Sequence, residues 1–307
     1  MNPIDFPNND HYYLALAEEA FSSGDYLQAL VNYQLAYQKN PSAKLNRLIV
    51  SLALEQGKVT EALEYADEAS ESYLESAETV DLYLQVQTSA KRFFVAREFL
   101  WRAKKTKSLT EEQNDRWLMR IDDQELFHQR QQQTMLKQLE VQLHQLPKVS
   151  TMEQLLLVRT VKQLPEERLR VLAENFMVDP KVAPLVRSYL FESLARIGTV
   201  DKVRYLTIQA EIVELSPTEI DFSEGLQNKI EVGLAEQLED EDPVFLANIL
   251  EQVKLEMAFL YPLQNSYLKP EAWIASYLSE YLNQAESLDK NIEEIREIIK
   301  RLMIDYH

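Results

Sequence analysis

The chain of 307 residues carries 32 Lys and Arg against 50 Asp and Glu, a formal net charge of −18, with 46% hydrophobic residues, five glycines and no cysteine. At an average usage of about 7%, a chain this long would hold roughly 20 glycines, so glycine-rich turns of sheet folds and phosphate-cradling loops are both disfavoured. Without cysteine there are no disulfides, thiolate metal sites or cysteine nucleophiles, and the acid excess disfavours nucleic acid and anionic membranes as partners.

The residues before Asp10 show neither the basic start nor the apolar run of an export signal. No apolar run approaches the ~18 residues of a membrane span, so a cytoplasmic location is expected. From Tyr13 the chain reads Leu16-Ala17, Ala20, Gly24-Asp25-Tyr26, Ala29, Tyr33, Ala36, Pro41. This ordered series resembles the tetratricopeptide repeat (TPR), a 34-residue helical hairpin. The resemblance implies that Ala17, Ala20, Ala29 and Ala36 sit where two helices cross. It makes Tyr13, Tyr26 and Tyr33 gap fillers and Gly24-Asp25 the turn.

Ala62 follows Ala29 by 33 residues, and Ala96 follows Ala62 by 34. Around them recur Val50, Leu54, Gly57, Ala66 and Ala69, then Tyr83-Leu84, Phe93, Leu100 and Ala103. Three repeats are read, at 10–43, 44–76 and 77–110, within a domain spanning 1–110. The second is one residue short before Gly57, and Lys91 replaces the turn glycine of the third.

Thr110 with Gln113 signals a capping box, opening a long connecting helix over 111–146. Trp117, Leu118 and Ile121 give it one apolar stripe, and Leu136, Leu139, Leu143 and Leu146 give another. The polar stretch from His128 to Gln133 reads as a solvated bridge. Residues 147–200 form helical hairpins of a degenerate-repeat or HEAT-like kind, with helices at 151–163 (capped by Thr151 and Gln154), 166–177 and 181–197. Asp179-Pro180 is read as the start of the last.

In 201–218, β-branched and aromatic residues from Val203 to Leu215 suggest a two-stranded hairpin ending at Ser216-Pro217; a helix from Val203 to Glu214 is the alternative. Residues 219–307 read as an acidic helical bundle with helices at about 223–238, 244–261 (started by Asp242-Pro243), 271–284 and 288–305. The stripe Trp273, Tyr277, Tyr281 is a core face. By thirds, residues 1–110, 111–200 and 201–307 carry net charges of −4, −1 and −13. The expected fold is thus all-α with one short hairpin: a TPR superhelix, HEAT-like helices and a C-terminal bundle. This order of elements resembles a group of TPR proteins from low-GC Gram-positive bacteria, a likeness that implies no established activity.

Chemistry finds little support. No two of the four histidines stand at i, i+4, and no metalloprotease, nucleophile-elbow or dinucleotide motif occurs. Asp122-Asp123-Gln124-Glu125 is similar to the aspartate-rich motif of helical isoprenoid enzymes but lacks its second aspartate, and reads as a solvated face. Glu239-Asp240-Glu241-Asp242 lacks the spacing of a calcium loop. No catalytic residue, metal or cofactor is expected.

Carried onto this chain, the TPR groove positions fall on His11, Leu14, Glu18 and Phe21, on Lys44, Arg47, Ser51 and Glu55, and on Glu78, Asp81 and Gln85. The chaperone-binding subgroup clamps a peptide carboxylate with Lys and Asn one turn apart. Leu14 and Glu18 take those places here, so that clamp is absent, while Lys44 and Arg47 suit an acidic partner. Acids crowd between Glu61 and Asp81, and bases between Lys91 and Lys107. The bases form either a solvated surface or a docking face, with Arg97, Arg102, Lys104 and Lys105 meeting a partner or the acidic third of a second copy. The expected function is a non-catalytic scaffold or adaptor that binds a peptide or partner protein, with self-association open. The alternative is a peptide-sensing regulator acting through a protein target.

Overall fold

A computed structural model describes residues 10–220, 225–238, 242–282 and 288–306. The chain divides into two compact units, Met1–Gln132 and Gln133–His307, and is almost wholly helical apart from one two-stranded sheet. No helix among the described residues is long and apolar enough to cross a membrane.

The first unit is a run of helical hairpins. Helices α1 (Asp10–Ser22) and α2 (Tyr26–Lys39) pair, as do α3 (Ala43–Glu55) and α4 (Val59–Glu68), then α5 (Ala77–Ser89) and α6 (Phe93–Lys105). Helix α7 (Glu111–Gln131) packs on α6. Ala17, Ala29, Ala36, Ala62, Ala66, Ala96 and Ala103 are all fully buried. A lone methyl lets helix axes approach closely, and a larger side chain there would cost about 1–3 kcal/mol in overpacking. Tyr33 fills the core as expected, but Tyr26 is exposed and lies edge-on to Phe21, ring centroids 5.3 Å apart.

Each hairpin turns by the same device. The N–H of Asp25 donates to the Ala20 carbonyl, Lys58 to Ala53, and Arg92 to Gln87, each at 2.9 Å. These bonds close a helix terminus around a left-handed residue. Gly24 and Gly57 fill that place at φ +82° and +71°, and Lys91 fills it at φ +62°. The lysine therefore keeps the turn geometry that glycine adopts without steric cost.

A continuous helix over 111–146 is not found. The capping box forms, with Thr110 N–H on Gln113 Oε1 at 2.9 Å, but α7 ends at Gln131 and α8 (Gln133–Leu143) begins anew. Gln132 leaves helical geometry at φ −108°, ψ 20°. The two apolar stripes are thereby buried in different units, Trp117 and Ile121 in one, and Leu136, Leu139 and Leu143 in the other.

In the second unit, α9 (Thr151–Val158), α10 (Glu166–Phe176) and α11 (Pro184–Arg196) pack together. The α9 cap lies one residue earlier than expected. Ser150 and Glu153 form the capping box, which frees Gln154 to accept from Ala183 N–H at 2.8 Å and donate to the Lys181 carbonyl at 3.0 Å. Asp179-Pro180 forms a turn, not a helix start, since Asp179 Oδ1 accepts from Lys181 N–H at 2.8 Å and Pro184 opens the helix. Residues 203–215 form the hairpin rather than the helix. Strand β1 (Val203–Leu206) runs antiparallel to β2 (Ile212–Leu215), with Tyr205 opposite Val213. Leu206 N–H reaches the Met177 carbonyl at 2.9 Å, and buried Tyr205 donates to the Tyr261 carbonyl at 2.9 Å.

Four helices follow, α12 (Leu226–Leu238), α13 (Pro243–Leu260), α14 (Pro270–Leu282) and α15 (Lys290–Met303). Asp242 caps α13 through Phe245 N–H at 2.9 Å, while Glu239 to Glu241 lie outside the described residues. Trp273 and Tyr277 are buried core, as their stripe implied; the Tyr281 side chain lies outside the described set.

Candidate functional site

Half of the expected docking face of bases, Arg97 and Arg102, is consumed inside the first unit. Arg97 is 4% exposed, and its guanidinium pairs with Asp122 at 2.7 Å and Glu125 at 2.9 Å on α7. It is not a surface residue, and Glu125 is buried as well, so the Asp122–Glu125 run is not wholly a solvated face. The periodicity explains this: Arg97 shares the inward stripe of α6 with Phe93 and Leu100. Arg92 pairs with Asp67, and Arg102 with Glu71 at 2.5 Å. Two pairs thus join the acid and base runs directly. Exposed pairs of this kind contribute about 0–1 kcal/mol each. Lys104 and Lys105 stay exposed, flanking the Trp101 ring at 5.8 and 5.4 Å.

The groove residues divide in the same way. His11, Glu18, Phe21, Lys44 and Glu55 are exposed, Ser51 is half-buried, and Leu14 packs against the core. Arg47 is committed internally, donating to the Ser72 carbonyl at 3.0 Å and pairing with Glu75 at 2.7 Å, so it does not serve an acidic partner. Helix α3 is held in place by a buried polar network. Asn46 accepts from Tyr73 Oη at 2.7 Å and donates to the Tyr65 carbonyl at 2.9 Å. Burial raises the Tyr73 phenol above its ordinary range, which keeps it a neutral donor.

A cavity of about 580 Å³ opens between α5 and α7, within the span of roughly 300–1,000 Å³ common for ligand sites. Ala77, Glu78 and Asp81 line it from α5, and Gln113, Arg116, Trp117 and Arg120 from α7, with Leu109 between. Two of the expected groove positions, Glu78 and Asp81, thus reach a formed pocket. Gln85 supports it by donating its amide to Asp81. Trp117 Nε1 donates to the other Asp81 oxygen at 2.9 Å, and Arg120 lies over the indole, 4.6 Å from its centroid. Asp81 is half-buried, whereas Glu78, Arg116 and Arg120 are exposed.

Sequence reasoning missed the α7 wall. Its signal was present: Gln113, Arg116, Trp117 and Arg120 stand at i, i+3, i+4 and i+7, one face of a helix. What hid it was the assignment of that segment to a connector instead of to the run of hairpins. Among the described residues, no group of three or more acidic or histidine side chains could hold a metal ion. Comparison with models of known families, with curated proteins and with solved structures finds no match for this chain.

Proposed function

We propose that the protein is a non-catalytic, TPR-type interaction scaffold of the bacterial cytoplasm, binding a peptide or partner-protein segment along the first helices of its hairpins. The observation that carries this reading is the cavity between α5 and α7, which opens at the third-repeat groove positions Glu78 and Asp81. The recurrent turns at Gly24, Gly57 and Lys91 and the buried crossing alanines support the repeat assignment. So does the order of contacts, in which each helix packs chiefly on its neighbours in sequence. The surviving exposed groove positions alternate acids with His11, Phe21 and Lys44. Such a surface suits an extended segment read by several shallow contacts.

The test is affinity capture from a bacterial lysate with wild type beside a Glu18→Lys/Glu55→Lys/Glu78→Lys variant. At least one protein retained by wild type should be lost by the variant, because only the exposed groove charges change. The same proteins retained equally by both would refute the groove.

A further inference from the structure

We propose that the cavity between α5 and α7 is a specificity pocket that takes the carboxylate side chain of an aspartate or glutamate in the bound peptide, held between Arg116 and Arg120; this rests on the groove reading above. The two arginines stand at i, i+4 on one helix face, so their side chains are neighbours. Among the described residues neither makes an ion pair. Like charges in that arrangement repel, and an anion between them relieves the repulsion while gaining charge-assisted hydrogen bonds.

One of the two is pre-oriented by a chain of contacts. Gln85 holds Asp81, Asp81 holds the Trp117 indole, and the indole face carries the Arg120 guanidinium. A cation held over an aromatic face keeps its N–H donors available, and a guanidinium fork can meet a carboxylate bidentately. Both oxygens of Asp81 are occupied by neutral N–H donors, so this carboxylate is engaged without consuming either arginine. The remaining acid of the lining, Glu78, is exposed in the first turn of α5. It repels a second negative charge, so the pocket selects a single acid with neutral or basic neighbours over a polyacidic run or a phosphate dianion.

The test is selection from a peptide library of twelve residues with Glu, Asp, Gln, Asn or Lys fixed at the centre and the flanks randomised. Wild type should enrich Glu or Asp over Gln and Asn, with basic or neutral residues beside them. For a selected peptide, Arg116→Glu/Arg120→Glu should weaken binding about tenfold or more, and Arg116→Lys should weaken it less, since charge is kept while the fork is lost. Glu78→Lys should admit a second acid. Both arginines are exposed, and Arg116→Gln/Arg120→Gln serves as a second variant should charge reversal disturb the fold by circular dichroism. Peptides selected without acid preference, or binding unchanged in both double variants, would overturn the pocket and leave the groove standing. No peptide selected by wild type would overturn the groove itself.

Discussion

Each unit buries an arginine against carboxylates, but the two are completed over different distances. In the first, Arg97 on α6 reaches Asp122 and Glu125 on the next helix, 25 and 28 residues onward. In the second, Arg296 on α15 is 1% exposed and meets Glu256 on α13 at 3.0 Å, 40 residues back, with its guanidinium 4.0 Å over Tyr277. Other closures there span more: Ser188 to the Tyr261 carbonyl bridges 73 residues, and Leu185 N–H to the Tyr306 hydroxyl 121. The first unit is therefore stabilised by successive neighbour contacts, each replaceable in part by the next. The second depends on a few polar closures between distant segments, where loss of one partner leaves buried groups with fewer bonds.

The sharpest way to break that contrast is Glu256→Ala. It removes the buried acceptor of the Arg296 Nε and of the Tyr277 hydroxyl, which donates to Glu256 at 2.8 Å, leaving Arg296 only Ser276 and the half-exposed Glu280 at 3.1 Å, and should cost the second unit about 3–5 kcal/mol. Urea unfolding followed by Trp273 fluorescence, in a Trp101→Phe/Trp117→Phe background, reads that unit alone because the chain has three tryptophans. A change below about 1 kcal/mol would show that the buried pair is not a keystone.

Glu125→Ala should cost less, about 1–3 kcal/mol: each arginine keeps a second carboxylate, Asp122 or Glu280, but Glu256 also accepts from the buried Tyr277 hydroxyl. The complementary Trp273→Phe background reports it. A loss equal to that of Glu256→Ala would erase the distinction between the two units.

Smaller effects are expected at the hairpin turns. Gly24→Ala should destabilise the first unit by about 1 kcal/mol, since a Cβ is strained at φ +82°. Lys91→Gly should stabilise it by a fraction of that, relief of strain at φ +62° being partly offset by unfolded-chain entropy. Thermal melts of both variants shifting in the same direction would refute the shared turn.

The smallest effect is a pH dependence at His128, whose ring lies 5.8 Å from that of Phe93. Burial, with repulsion from Lys91 second, holds its imidazole below the ordinary 6.5. The unfolded chain then takes up the proton first as pH falls, so the stabilisation is full above about 6.5 and lost as pH drops through the folded value. His128→Gln should flatten the fall in first-unit stability as pH drops below about 6.5. An unaltered slope would remove His128 from the account.

Much of the fold was legible because its determinants are local. The crossing alanines, the capping box at Thr110, the Asp242-Pro243 start and the β-branched stretch at 203–215 all act within a few residues of themselves. The candidate site was only half legible. Glu78 and Asp81 were expected only through the resemblance to the TPR groove, and their opposite wall stands on α7, a helix outside that resemblance. Arg97 illustrates the reverse error: among seven bases in one run it reads as surface, and only the rotation of α6 against α7 shows that it faces inward.

The amino-acid sequence by itself determined the helical class, the hairpin periodicity and the places where the backbone turns, since helix propensity, capping and left-handed turn positions are set by neighbours in the chain. Tertiary structure alone decided which charges remain available. Arg92 is spent on Asp67, Arg102 on Glu71 and Arg97 on Asp122 and Glu125, while Arg116 and Arg120 are left beside a cavity. The reason is physical: a side chain's charge belongs to the residue, but its solvation and its partner depend on which helix face packs against which.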